Sequence, residues 1–110
     1  MSRMSRTKGK LAQWECACLL AERDWRVHES NSGTATEDMI AFDLAGRAWS
    51  VEVKFQKLMN PSAWKAQAIR QADAMRLPWM LCAKIQGEGA WLILRKGEPP
   101  AIWRLRGRAE

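Results

Sequence analysis

The sequence predicts one α/β domain, a mixed β-sheet covered by two helices. Two observations predict the layers. Helical spacing of apolar residues appears ahead of Trp25 and again after Asn60. The remaining segments are short runs of Val, Ile, Trp and Phe, several with alternating polarity, which is the period-2 pattern of half-buried strands. A third bounds the size: 110 residues with 47% hydrophobic content suit a single domain with one modest core. One sheet between two helices would bury all of these apolar faces.

The elements follow in order. Residues 1–7 carry Arg3 and Arg6 and few apolar groups, which predicts a flexible basic arm ahead of a domain at 8–110. From Thr7 or Lys8 to about Asp24, Leu11, Trp14 or Glu15, Cys18 or Leu19, and Glu22 recur at helical spacing. Residues 25–28 start a short strand, and "SNSGTATED" is a turn-rich loop. Residues 38–44 and 48–56 form a hairpin around the tight connection 45–47. Asn60 is a candidate N-cap, with Pro61 in the first helical position. That helix runs to about Met75 and stops before Pro78, because a residue preceding proline disfavours helix. "WMLCAKI" at 79–85 and "AWLILRK" at 90–96 are strands joined by the turn "QGEG". "GEPP" reads as a loop and "AIWRLR" as a last short strand. The order is α-β-β-β-α-β-β with a final β.

Lysine and arginine number 18 against 12 acids, giving a net charge of +6 and a pI near 9.7. Such a surplus on a small domain suits a polyanionic partner. No run of 18 apolar residues occurs, which argues against a membrane helix. No signal-like apolar segment follows the basic N-terminus, so an intracellular protein is expected, in a prokaryote or encoded by a phage acting in its host's cytoplasm. Cys16 and Cys18 would project about 200° apart on a helix and cannot bond to each other. With Cys82 and the lone His28 they make a poor zinc set, so free thiols are expected. Seven tryptophans are many for this length, and Trp79, Trp91 and Trp103 are candidates for an interface as well as for the core.

Four residues carry chemistry. Glu15 shares its helix face with Leu11 and Leu19, where an ionised carboxylate needs a cation or hydrogen bonds. In "SVEVKFQK" the odd positions Val51, Val53 and Phe55 face the core, which leaves Glu52 and Lys54 side by side on the other face. Counting outward from Gly46 brings Asp38 to the Glu52–Lys54 region, while Asp43 falls near Trp49 at the turn. Two carboxylates held close together repel unless a divalent cation joins them. Mg²⁺ suits one or two carboxylates completed by waters and phosphate oxygens. A lysine beside such a cation can orient or deprotonate a water.

A helical glutamate, a Ser32-Gly33 loop, Asp38-Met39-Ile40-Ala41, a short hairpin and Glu52-Val53-Lys54 together resemble the PD-(D/E)XK nuclease superfamily. Over residues 8–95 the pattern is most similar to the archaeal-type Holliday junction resolvases and their phage relatives. Glu37 stands where many superfamily members have proline.

The resemblance implies a restriction-endonuclease-like fold and Mg²⁺-dependent DNA hydrolysis, with Mn²⁺ able to substitute. It implies that Asp38, Glu52 and the Val53 carbonyl hold the metal, that Lys54 positions the attacking water, and that Glu15 reaches the metal directly or through water. It places Ser32 near the cleaved strand. It also places a glutamine on the helix after the Lys strand, where Gln67 is favoured over Gln71. Arg3, Arg6, Lys8, Lys10 and Lys57 are expected to contact DNA phosphates. Symmetric nicking of a four-way junction implies a homodimer. The alternatives are an endonuclease or nickase of the same fold acting on flap, damaged or invading DNA, and a non-catalytic DNA-binding or inhibitory protein that retains the fold.

Overall fold

The elements run α1 (Ser2–Ala21), β1 (Arg26–Glu29), β2 (Met39–Phe42), β3 (Ala48–Lys54), α2 (Pro61–Met75), β4 (Trp79–Ile85), β5 (Ala90–Arg95) and β6 (Glu98–Arg104). The computed structural model describes residues 2–29, 39–87 and 89–106. The strands form one 6-stranded sheet in the order β1-β2-β3-β4-β5-β6. Only β3 and β4 run parallel, and α2 is the crossover that joins them. Every other neighbouring pair is antiparallel.

The two helices cover opposite faces of the sheet. On one face Ala12, Cys16, Leu19 and Leu20 of α1 join Met39, Val51, Met80, Cys82, Trp91 and Ile93 in the main core. On the other face Trp64 and Ala68 of α2 pack on Leu81 and Ala83. Burial of each large apolar side chain contributes about 1.5–3 kcal/mol. The start of α2 is as expected, with Pro61 in its first turn and the Asn60 side chain accepting from the Ala63 N–H at 3.4 Å. It ends at Met75, after which Arg76 turns into the left-handed region at φ 58 and ψ 40.

Several expectations are corrected. Helix α1 begins at Ser2, so residues 2–7 are helical where an arm was expected. Leu11 and Trp14 are 59% and 63% exposed, so the buried seam of α1 runs through Ala12, Cys16, Leu19 and Leu20 instead. Strand β3 ends at Lys54, two residues short of Gln56. The expected "GEPP" loop is largely strand, since β6 opens at Glu98 and includes Pro99 and Pro100. Both prolines are tolerated there because β6 is an edge strand, so every second N–H points away from β5, and because the β5–β6 register slips between Ile93 and Arg95, opposite Pro99 and Pro100. Trp91 is fully buried, which excludes it from any interface. Trp103 is half-buried against Trp25, with ring centroids 6.2 Å apart. The three cysteines are free, and Cys18 is only half-buried.

Candidate active site

Strand alternation places Glu52 and Lys54 on the α2 face, because Val51 and Val53 belong to the α1-side core. Their parallel neighbours are Leu81 and Ala83, which sit under α2. The Lys54 ammonium lies 3.4 Å from a Glu52 carboxylate oxygen, and the two side chains are 18% and 12% exposed. Lys54 is the last residue of β3. A mostly desolvated acid and base thus stand together at the mouth of the sheet, beside the start of β2. Met39, the first residue of β2, pairs with Val51, the residue before Glu52. The count about Gly46 would have paired Met39 with Val53. The hairpin instead closes one residue earlier, with Phe42 opposite Ala48. That two-residue change on β3 leaves every side chain on the same face. Asp38 and Ser32 lie outside the described residues.

Glu15 is 9% exposed, and its carboxylate accepts from the Lys84 ammonium at 2.5 Å. Lys84 also stands 5.1 Å from the centre of the Phe55 ring. Met80 and Cys82, of the same strand parity as Lys84, lie in the α1-side core, so this ion pair is on the face opposite Glu52 and Lys54. Lys84 is the residue that sequence reasoning missed. Its signal was a lysine in phase with the buried Met80 and Cys82 of an apolar strand, which calls for an acid to meet it. Lys84→Ala should destabilise the fold by about 1–3 kcal/mol, because it takes the cation from a buried carboxylate. Glu15→Gln combined with Lys84→Met should recover most of that loss, and urea denaturation of the single and double variants measures it.

Asp43 stays at the turn, as the sequence predicts. One carboxylate oxygen accepts from the backbone N–H groups of Ala45 and Arg47 at 3.0 and 2.9 Å, and the other accepts from the Trp49 indole N–H at 3.0 Å. The Trp49 hydrogen bond is the main reason its carboxyl titrates below the usual aspartate range, helped by the two turn amides and Arg47. Asp43 is therefore a turn cap. A depressed carboxyl stabilises the fold fully above its unfolded-state value and ceases to do so as pH falls through the folded one. Asp43→Ala should cost about 1 kcal/mol near neutral pH. The gap in melting temperature between variant and parent should narrow on acidification below the ordinary carboxylate range.

Gln67 and Gln71 are both half-buried and flank the Trp64, Ala68 and Ala72 stripe of α2, over the same sheet face as Glu52. Lys57 is exposed just beyond β3. Arg3, Arg6, Lys8 and Lys10 lie on α1, but their side chains are outside what is described. Val53 turns its side chain toward the α1-side core and pairs with Cys82. Among the described residues, no group of three or more His, Cys, Asp or Glu side chains lies together. None of the described helices is long and apolar enough to cross a membrane.

No protein-family model and no curated protein sequence matches the chain. A solved structure does. Archaeoglobus fulgidus Hjc, a Holliday junction resolvase from an archaeal hyperthermophile, superposes with a TM-score of 0.53, at 13% identity over 81% of this chain and 82% of that one. The chain has the restriction-endonuclease-like fold. At that identity the likeness is one of architecture, and the expected fold class is observed: a mixed sheet flanked by helices.

Proposed function

We propose that this chain is a metal-dependent DNA endonuclease whose preferred substrate is branched DNA, most simply a four-way junction. The observation that carries the reading is the Glu52–Lys54 pair, 3.4 Å apart and largely shielded from water, at the end of the central strand of a resolvase-like fold. The net charge of +6 suits the polyanionic substrate.

The donor chemistry fits a hard divalent cation. Glu52 offers carboxylate oxygen, the Val53 carbonyl is its chain neighbour, and Asp38 precedes the residue paired with Val51. Asp38, Glu52 and the Val53 carbonyl would hold Mg²⁺, or Mn²⁺ in its place. When bound, the ion lowers the pKa of its water and stabilises charge on the phosphoryl oxygens. Lys54 would orient the attacking water opposite the leaving 3′ oxygen and take up or relay its proton. Shielding from solvent strengthens both effects. Glu15 would join the ion only by exchanging its Lys84 partner and reaching around the strand ends. Gln67 or Gln71 would hydrogen-bond the scissile phosphate or its water from α2. Ser32, Arg3, Arg6, Lys8, Lys10 and Lys57 would hold the DNA backbone. Two coordinated nicks need two sites, which a C₂ homodimer supplies.

The test is cleavage with Mg²⁺ of a mobile four-way junction beside a flap, a linear duplex and single strands. Paired nicks in the junction, at rates well above those on duplex, are expected. Faster cutting of flaps would make the chain an endonuclease of the same fold with another substrate. Tight junction binding without cleavage would make it a non-catalytic binder.

A further inference from the structure

The end of the sheet away from Lys54 gathers positive charge that the proposed catalytic site does not use. Arg47 from the β2–β3 turn, Arg76 from the end of α2 and Lys96 from the β5–β6 turn line an open cavity of about 410 Å³. Its other walls are Asp73, Leu77 and Pro78, so cations outnumber acids by three to one. All three cations are exposed. The segments that carry them are pinned to the sheet: Lys96 N–H donates to the Trp79 carbonyl at 3.2 Å, and Ser50 N–H donates to the Pro78 carbonyl at 2.9 Å. The Arg47 guanidinium rests 4.8 Å from the centre of the Trp49 ring.

Arg76 is the most telling of the three. Its φ of 58 lies in the left-handed region, at a helix end where glycine is the usual residue. An arginine there accepts backbone strain that glycine would avoid, for a side chain that reaches the cavity. A wide cavity lined by cations suits an extended polyanion better than an enclosed small molecule.

We infer that Arg47, Arg76 and Lys96 bind successive backbone phosphates of the DNA at a second site, remote from the scissile one, an assignment that rests on the endonuclease reading. Strand β3 connects the two sites: Arg47 precedes its first residue and Lys54 is its last. At about 3.3 Å per residue the strand spans about 20 Å, or about six base pairs of duplex. The second site would therefore grip the DNA arm about half a helical turn from the cut and fix its direction across the protein.

The experiment measures binding of a DNA duplex longer than that span as salt is raised, with Glu52→Gln present throughout to block cleavage. Arg76→Gln with Lys96→Gln should lower the slope of log K against log salt by about 2, one for each lost phosphate contact. Arg76→Gly is the second variant. It removes the charge while relieving the left-handed backbone, so it should keep its melting temperature and lower the slope by about 1. Binding with an unchanged slope in both variants overturns the second site and leaves the endonuclease reading standing. Absence of any DNA binding by the Glu52→Gln parent, when the wild-type chain also fails to cleave, overturns both.

Discussion

Glu52→Gln is expected to lower Mg²⁺-dependent cleavage by at least about 10²-fold while leaving the fold intact. The substitution keeps the size of the side chain and removes the charge that would hold a cation. It also takes the carboxylate from Lys54, 3.4 Å away and mostly shielded from water. Lys54→Met should slow the chemical step by about 10²–10⁴-fold, the usual contribution of a positioned acid or base. Single-turnover cleavage separates these losses from weaker DNA binding, and thermal melting checks that each variant is folded. If both variants cleave at the parent rate, the pair is merely a boundary ion pair on a half-wet strand. Asp38→Asn should match Glu52→Gln, since both carboxylates are proposed to hold the same ion.

The largest effect on stability is expected from Trp91→Ala, a loss of about 3–5 kcal/mol. Trp91 is fully buried in the α1-side core and pairs across the sheet with Lys84 on β4 and Trp103 on β6. Truncation would open a cavity in the middle of five elements' packing. Against a typical stability of about 5–15 kcal/mol, such a loss leaves a chain that unfolds at low denaturant. The measurement is the urea midpoint. A variant that kept its midpoint but changed oligomeric state would restore Trp91 as an interface residue and contradict its place in the core.

The contrast between these two residues shows what the sequence made legible. Glu52 and Lys54 could be assigned to one face because alternation is local: Val51, Val53 and Phe55 point to the core and their neighbours cannot. Asp43 could be set aside by the same parity and by its place at the turn, where it caps Ala45, Arg47 and Trp49. The two helices were visible because Asn60, Pro61 and Pro78 punctuate the second and apolar spacing marks the first.

Long-range partners were hidden. Lys84 is 69 residues from Glu15, and their meeting depends on β4 lying centrally beneath α1, which no local pattern reports. The role of Trp91 depends on the same strand order. Pro99 and Pro100 suggested a loop because proline usually breaks strands, and they are acceptable because β6 lies at the sheet edge and its pairing with β5 slips beside them. The basic cavity draws Arg47, Arg76 and Lys96 from three separate turns, so no motif could announce it.

The most direct test of the metal-dependent endonuclease is single-turnover incubation of a four-way junction with the wild-type chain. It is run in Mg²⁺, in excess chelator, and in Mg²⁺ with Glu52→Gln. Paired nicks in the first reaction alone, ending in 5′-phosphate and 3′-hydroxyl, are the predicted result. Equal cleavage in all three, or none in any while the junction is bound, would contradict it.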